Sequence, residues 1–149
     1  GEKSELARLT NPRNVGGDLA VVIKGADAFV GLSGKGLLHA EHVASMAPRS
    51  IVFALANPDP EILPDVATKA GAAVVATGRS DFPNQINNAL VFPGIFRGAL
   101  DRGVRQITQA TKLRAARAIA ALVKKPSASR IIPDLLDTRV VKAVAGAVR

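Results

Sequence analysis

The 149 residues include no cysteine, no tryptophan and no tyrosine. Without cysteine there is no disulfide and no thiolate to act as nucleophile or metal ligand, and a reducing cytoplasm is the expected setting. Aromatic residues make up 3%, all of them Phe, so the stacking platforms used by single-strand binders are missing and nucleic acid is not an expected partner. No apolar run approaches the roughly 18 residues of a membrane span, and no signal peptide opens the chain. The first residue is Gly1 rather than Met, which fits a fragment or a processed product.

Hydrophobic residues make up 48% and charged residues 21%, the balance of one folded domain with one core. The net charge of +8 is uneven. Residues 1–96 carry eight basic and nine acidic side chains, a net −1, whereas residues 97–149 carry twelve basic and three acidic, a net +9. A basic tail can attract anionic partners, but a solvated basic face on terminal helices is the favoured reading.

No repeat or low-complexity segment occurs. The first 15 residues are polar and read as loop, with Asn11-Pro12 as a break. A helix is expected from Asp18 to Ala26, stopping at Lys24-Gly25. Three unbroken apolar runs follow, Ala28–Leu32, Ile51–Ala56 and Ala73–Ala76, with the character of strands buried on both faces. Helices are expected between them at Ala40–Met46 and at Glu61–Ala70, the latter entered through Asp59-Pro60. This alternation predicts an α/β fold, a partial Rossmann-like parallel sheet flanked by helices. Beyond it the pattern turns helical: Asn87–Arg102 with an interruption near Pro93-Gly94, then a C-terminal helical segment over 108–149. That segment holds an amphipathic helix from Thr108 to Val123, a short strand at Ile131-Ile132, and a last helix over Thr138–Val148.

In open parallel sheets, ligands bind beyond the carboxyl ends of the strands. There the sequence places Gly31-Leu32-Ser33-Gly34, then Asn57-Pro58-Asp59-Pro60, then Thr77-Gly78-Arg79-Ser80-Asp81 with Asn84, Gln85, Asn87 and Asn88 following. Amide side chains offer donors and an acceptor without fixed charge, which suits a ligand bearing hydroxyls and carboxylates. Other motifs fail. Gly36 stands where a phosphate loop around Lys35 needs Ser or Thr, and His39 stands where a dinucleotide fingerprint begun at Gly34 needs Gly. His39 and His42 flank Glu41 with no evident third ligand.

Three ordered blocks carry a family resemblance. Gly25-Ala26-Asp27-Ala28-Phe29-Val30-Gly31-Leu32-Ser33 resembles a strand and turn of the malic enzymes. Phe53-Ala54-Leu55-Ala56-Asn57-Pro58-Asp59-Pro60-Glu61 is similar to the short bacterial type, and so is the stretch ATGRSDFPNQINNALVFPGIFRGAL from Ala76 to Leu100. The resemblance runs from about Asp18 to Asp137. It implies the carboxyl-side part of an NAD(P)-binding domain, in an enzyme that oxidises and decarboxylates malate to pyruvate with NAD or NADP and Mg²⁺ or Mn²⁺. It implies that Asn57, Asn87 and Asn88 contact malate, and that Gly31, Leu32, Ser33, Asn57 and Asn87 contact the cofactor. The family's general acid is a Tyr, which this chain lacks. Its general base Lys, its metal carboxylates and its glycine-rich fingerprint are expected upstream, so no catalytic residue and no metal ligand is assigned here.

Several expectations follow from the resemblance. The chain should hold the later strands of a 3-2-1-4-5-6 sheet, leaving an unpaired edge that invites self-association. Its partners should be the missing amino-terminal half and further copies in a homo-oligomer. The rival readings are a stand-alone basic α/β module that binds an anionic partner, and a catalytically silent remnant.

Overall fold

The computed structural model describes residues 2–149. Its first element is a helix, α1 (Glu2–Leu9), where the sequence predicts loop. The segment is polar but consists almost wholly of strong helix formers, and propensity rather than an apolar face sets its conformation. Leu6 and Leu9 remain exposed.

A one-turn helix α2 (Leu19–Val22) follows, with the Asp18 carboxylate accepting from the Val21 N–H at 3.1 Å. It is shorter than the expected Asp18–Ala26: beyond Val22 the chain forms a turn, in which Ala26 N–H donates to the Ile23 carbonyl at 2.9 Å and Gly25 has φ 71, in the left-handed region that glycine tolerates. The sheet comprises β1 (Ala28–Gly31), β2 (Ile51–Ala54) and β3 (Val74–Thr77). Their order is β1-β2-β3, all parallel, with Ala28 opposite Ile51 and Ile51 opposite Val74. Helices α3 (Ala40–Ala44) and α4 (Pro64–Lys69) link them. The expected helix from Glu61 starts later. Pro64 occupies its first turn and holds Leu63 extended at ψ 142, as the residue before proline prefers. Leu38, Val43, Met46, Val52, Ile62 and Val75 are buried in the core of this half.

The two sides of the sheet end differently. On the β3 side, residues 84–86 run alongside the strand, with Ile86 N–H donating to the Thr77 carbonyl at 2.8 Å. On the β1 side no further strand pairs among the described residues, and Val30 is 61% exposed.

The second half is helical. A 3₁₀ turn (Asn88–Leu90) leads into α5 (Phe92–Arg102). Pro93 does not interrupt α5. It lies in the first turn, where its missing N–H has no intrahelical partner to lose. Gly103, φ 62, ends the helix in the left-handed conformation. Thr108 caps α6 (Gln109–Ala120), accepting from Thr111 N–H at 3.2 Å. Helix α7 (Arg139–Ala147) packs on both α5 and α6, burying Leu90, Ile95, Ile119, Val140, Val144 and Val148. Ile131-Ile132 forms no strand. The Ile131 N–H donates instead to the Asn84 side chain at 2.9 Å.

Helices α5 and α7 approach closely through two glycines. A Cβ on Gly94 would lie 2.5 Å from Val144 Cβ, and one on Gly98 would lie 2.6 Å from the Ala145 carbonyl oxygen. Two arginines of the basic tail serve this half. Arg102 donates to the Ala145 carbonyl at 2.6 Å, and Arg114 donates to the Ala147 carbonyl at 2.9 Å and to that of Arg149. Cations at a helix carboxyl end satisfy its free carbonyls and complement its dipole.

Candidate functional site

The carboxyl ends of β1, β2 and β3 open onto three loops, and one buried carboxylate joins the first two. Glu61 is 0% exposed. Its Oε1 accepts from Ser33 N–H at 2.8 Å and from Ser33 Oγ at 3.1 Å, and its Oε2 accepts from Ala56 N–H at 3.1 Å. Its carbonyl accepts from Leu38 N–H at 3.1 Å. Burial pushes the carboxyl pKa up, but the N–H donors of Ser33, Ala56 and Glu61 itself outweigh burial and hold it below the usual value. Glycine at 31 makes the arrangement possible, because a Cβ there would fall 2.4 Å from the Glu61 carboxyl carbon.

The second and third loops meet at Asn57 and Gly78. A Cβ on Gly78 would lie 3.1 Å from Asn57 Oδ1, so the amide lies close against that glycine. Asn57 is exposed and its Nδ2 makes one long bond, 3.5 Å, to the Leu55 carbonyl. Its Oδ1 accepts no hydrogen bond among the described residues. The Asn57–Pro58 peptide is cis. Gln85 Nε2 donates to the Gly78 carbonyl at 3.4 Å and closes the third loop.

An ion network runs over all three loops. Lys35 lies 2.9 Å from Asp59, Arg79 lies 3.3 Å from Asp59 and 2.6 Å from Asp81, and the Arg79 guanidinium stands over Phe82. The Lys35 hydrogen bond, with its charge and that of Arg79, lowers the Asp59 pKa. The Arg79 hydrogen bond lowers that of Asp81.

The residues singled out from the sequence fall into three groups. Asn57 and Asn88 are exposed on or just beyond the strand-end loops, and no hydrogen bond of the Asn88 side chain occurs among the described residues. Leu32 is 78% exposed on the first turn. Gly31, Ser33 and Asn87 are partly committed: Gly31 backs Glu61, both donors of Ser33 go to Glu61, and Asn87 Oδ1 caps the 3₁₀ turn by accepting from Ala89 N–H at 2.9 Å. Asn84 is consumed. Its Nδ2 donates to the Val75 and Ala128 carbonyls at 3.0 and 2.8 Å, and its Oδ1 accepts from Ile131. A cavity of about 440 Å³ beside the third loop is lined by Phe82, Asn84, Gln85, Ser129, Arg130 and Pro133, among others, but not by Asn57, Asn87 or Asn88.

Glu61 escaped the sequence reading, which placed it in the first turn of a helix. The available signal was Pro64, which puts the helix start beyond it. His39 and His42 serve α3, with His42 Nδ1 accepting from His39 N–H at 3.1 Å. Among the described residues no group of three or more His, Asp or Glu could hold a metal ion, and none of their helices is long and apolar enough to cross a membrane.

A parallel sheet flanked by helices, with polar loops gathered at the strands' carboxyl ends, defines the Rossmann-like class of α/β domain. Within that class the chain belongs to the malic enzyme family: the model described as "Malic enzyme, NAD binding domain" matches residues 14–149. It is 53% identical to the bifunctional malic/malolactic enzyme of Bacillus subtilis (98% of this chain, 36% of that protein). It is also 53% identical to the NAD-dependent malic enzyme of Geobacillus stearothermophilus (97% and 30%). An NADP-dependent malic enzyme of Halomonas elongata is 45% identical (87% and 35%). Among solved structures, the NAD-dependent malic enzyme of Thermotoga maritima superposes with a TM-score of 0.92 at 47% identity (97% and 38%). The chain therefore spans about a third of the length of these relatives.

Proposed function

We propose that this chain forms the nicotinamide-facing and substrate-facing side of an NAD(P)-dependent malic enzyme that converts malate to pyruvate and CO₂. On this reading the remaining catalytic groups come from other parts of a longer enzyme. The observation that carries it is the edge at Asn57, where an exposed amide with an unengaged Oδ1 is braced between two strand ends inside a family of NAD-binding domains.

The residues present fit one end of a dinucleotide. The exposed Leu32 side chain offers an apolar surface for a ring, and the amides of Asn57, Asn87 and Asn88 offer polar recognition beside it. No glycine-rich phosphate cradle is present, so the pyrophosphate is assigned to other parts of the enzyme. The nicotinamide, when bound, accepts the hydride.

On this reading Asn57 orients the ring carboxamide or the malate hydroxyl, using Oδ1 as acceptor and Nδ2 as donor. Asn88 binds a malate carboxylate. Asn87 contributes Nδ2, because its Oδ1 is held by the Ala89 N–H. Leu32 limits water at the reacting carbon. Among the described residues the acidic side chains and histidines assemble no site for Mg²⁺ or Mn²⁺, and no step is assigned to a metal held by them.

The test is malate-dependent formation of NADH or NADPH with Mn²⁺ present, for the 149-residue chain and for the longer enzyme proposed to contain it. Turnover in the longer protein only is the expected result. Turnover by the short chain would overturn the assignment of the remaining groups elsewhere. A folded but inactive longer protein would overturn the function.

A further inference from the structure

Glu61 is the one charged side chain that is fully buried among the described residues, and no cation there forms an ion pair with it. A buried unpaired charge is costly, and a core built for stability alone does better with an apolar group. The compensation comes from the way its two oxygens are shared out. Oε1 takes both donors of Ser33, and Oε2 takes the N–H of Ala56. Ser33 directly follows the exposed Leu32, and Ala56 directly precedes Asn57. A single planar carboxylate therefore fixes the spacing between the turn after β1 and the amide after β2. Gly31, by lacking a Cβ, leaves the room it occupies.

We propose that Glu61 is a positioning residue that holds the Leu32–Ser33 turn and Asn57 in register, so that dinucleotide and malate bind side by side. This rests on the function proposed above. It also reassigns Ser33: its N–H and hydroxyl proton serve the Glu61 brace rather than direct contact with the cofactor. The carboxylate itself touches neither ligand.

Three variants of the longer enzyme test this. Glu61→Gln keeps the length but turns one acceptor into a donor facing an N–H. Glu61→Asp keeps the charge but is too short to reach both loops. Ile62→Ala, in the core beside Glu61, is the control for lost stability. Dinucleotide Kd is read by NADH fluorescence, and malate KM and kcat by turnover, at a temperature where circular dichroism shows each variant folded.

Both Glu61 variants should raise the NADH Kd and the malate KM together, each by about tenfold or more, as loss of alignment does. Ile62→Ala should leave both constants within about twofold while lowering the unfolding midpoint. Unchanged constants in the Glu61 variants would overturn the proposal, and so would equal shifts in Ile62→Ala. If Glu61→Gln does not fold, Glu61→Asp decides by the same criteria. Nucleotide affinity is measured without turnover, so a parent enzyme that binds NADH but ignores malate would remove the proposed function while Glu61 is still judged by the Kd.

Discussion

The sheet half and the helical half of this chain are held together by different means. In the helical half the decisive contacts are close approaches of backbone, Gly94 and Gly98 of α5 against α7, together with arginines on the carbonyls at the α7 end. In the sheet half the core is lined by aliphatic side chains, and its ligand-facing edge is tied by polar groups: Glu61 between two loops, and Asp59 with Lys35 and Arg79 among three. One region needs tight packing and nothing exposed at the contact. The other must hold loops in place while leaving amides free, and hydrogen-bonding side chains can do that where interdigitated apolar ones cannot. Asn84 joins the two, bonding β3 on one side and residues 128 and 131 on the other.

The largest effect is expected at Asn84, where the two halves join. Asn84→Ala removes three hydrogen bonds, one buried and two partly buried, and places alanine at φ 57, for a cost of about 3–4 kcal/mol. Asn84→Gly restores the backbone freedom, so the difference between the two variants in urea unfolding isolates the conformational part, about 1 kcal/mol. The next effect belongs to the helical half. Gly98→Ala drives a methyl into the Ala145 carbonyl and Val148 and should destabilise by about 2 kcal/mol through overpacking. That loss should come despite the gain of about 1 kcal/mol that alanine normally brings to a helix. A stabilised Gly98→Ala protein in the same titration would mean that the two helices are not in close contact.

The smallest effect is one of pH. Asp137 accepts from the Arg139 side chain and N–H, and these bonds lower its pKa to about 2. A carboxylate with a depressed folded pKa contributes stability that is fully present above its unfolded value, near 3.9, and is lost as pH falls through the folded one. Acid unfolding monitored between about pH 4 and 2 should therefore be shallower in Asp137→Asn than in the parent. The sheet-half carboxylates Asp59, Glu61 and Asp81 are lowered in the same direction, so the remaining slope reports on the strand-end edge.

The two halves were also unequally legible. Val74–Thr77 and Ile51–Ala54 are apolar on both faces, and that pattern located every strand to within a residue or two. Asp18, Thr108 and Gly103 mark helix ends by local chemistry and fell close to where the sequence puts them. Misreadings arose where one residue had two readings. Pro60 and Pro64 both look like helix starts, and only Pro64 is one. Pro93 looked like an interruption and lies in a first turn. Ile131-Ile132 looked like a strand and is drawn into a turn by Asn84, 47 residues away. Separation in sequence also hid Glu61, whose partner Ser33 is 28 residues earlier. In the sequence Asn57, Asn84, Asn87 and Asn88 all lie on the predicted ligand edge, with Asn57, Asn87 and Asn88 assigned to ligand and Asn84 given no role. The fold separates them by which amide atoms are already engaged.

The most direct test of the account is kcat/KM for malate in Asn57→Ala of the longer enzyme, measured beside its unfolding midpoint. The account predicts a fall of about a hundredfold, the usual scale for a lost orienting group, with the midpoint nearly unchanged because Asn57 is exposed and makes one long hydrogen bond. An unchanged kcat/KM would contradict the assignment of this edge as the malate and nicotinamide side of the enzyme.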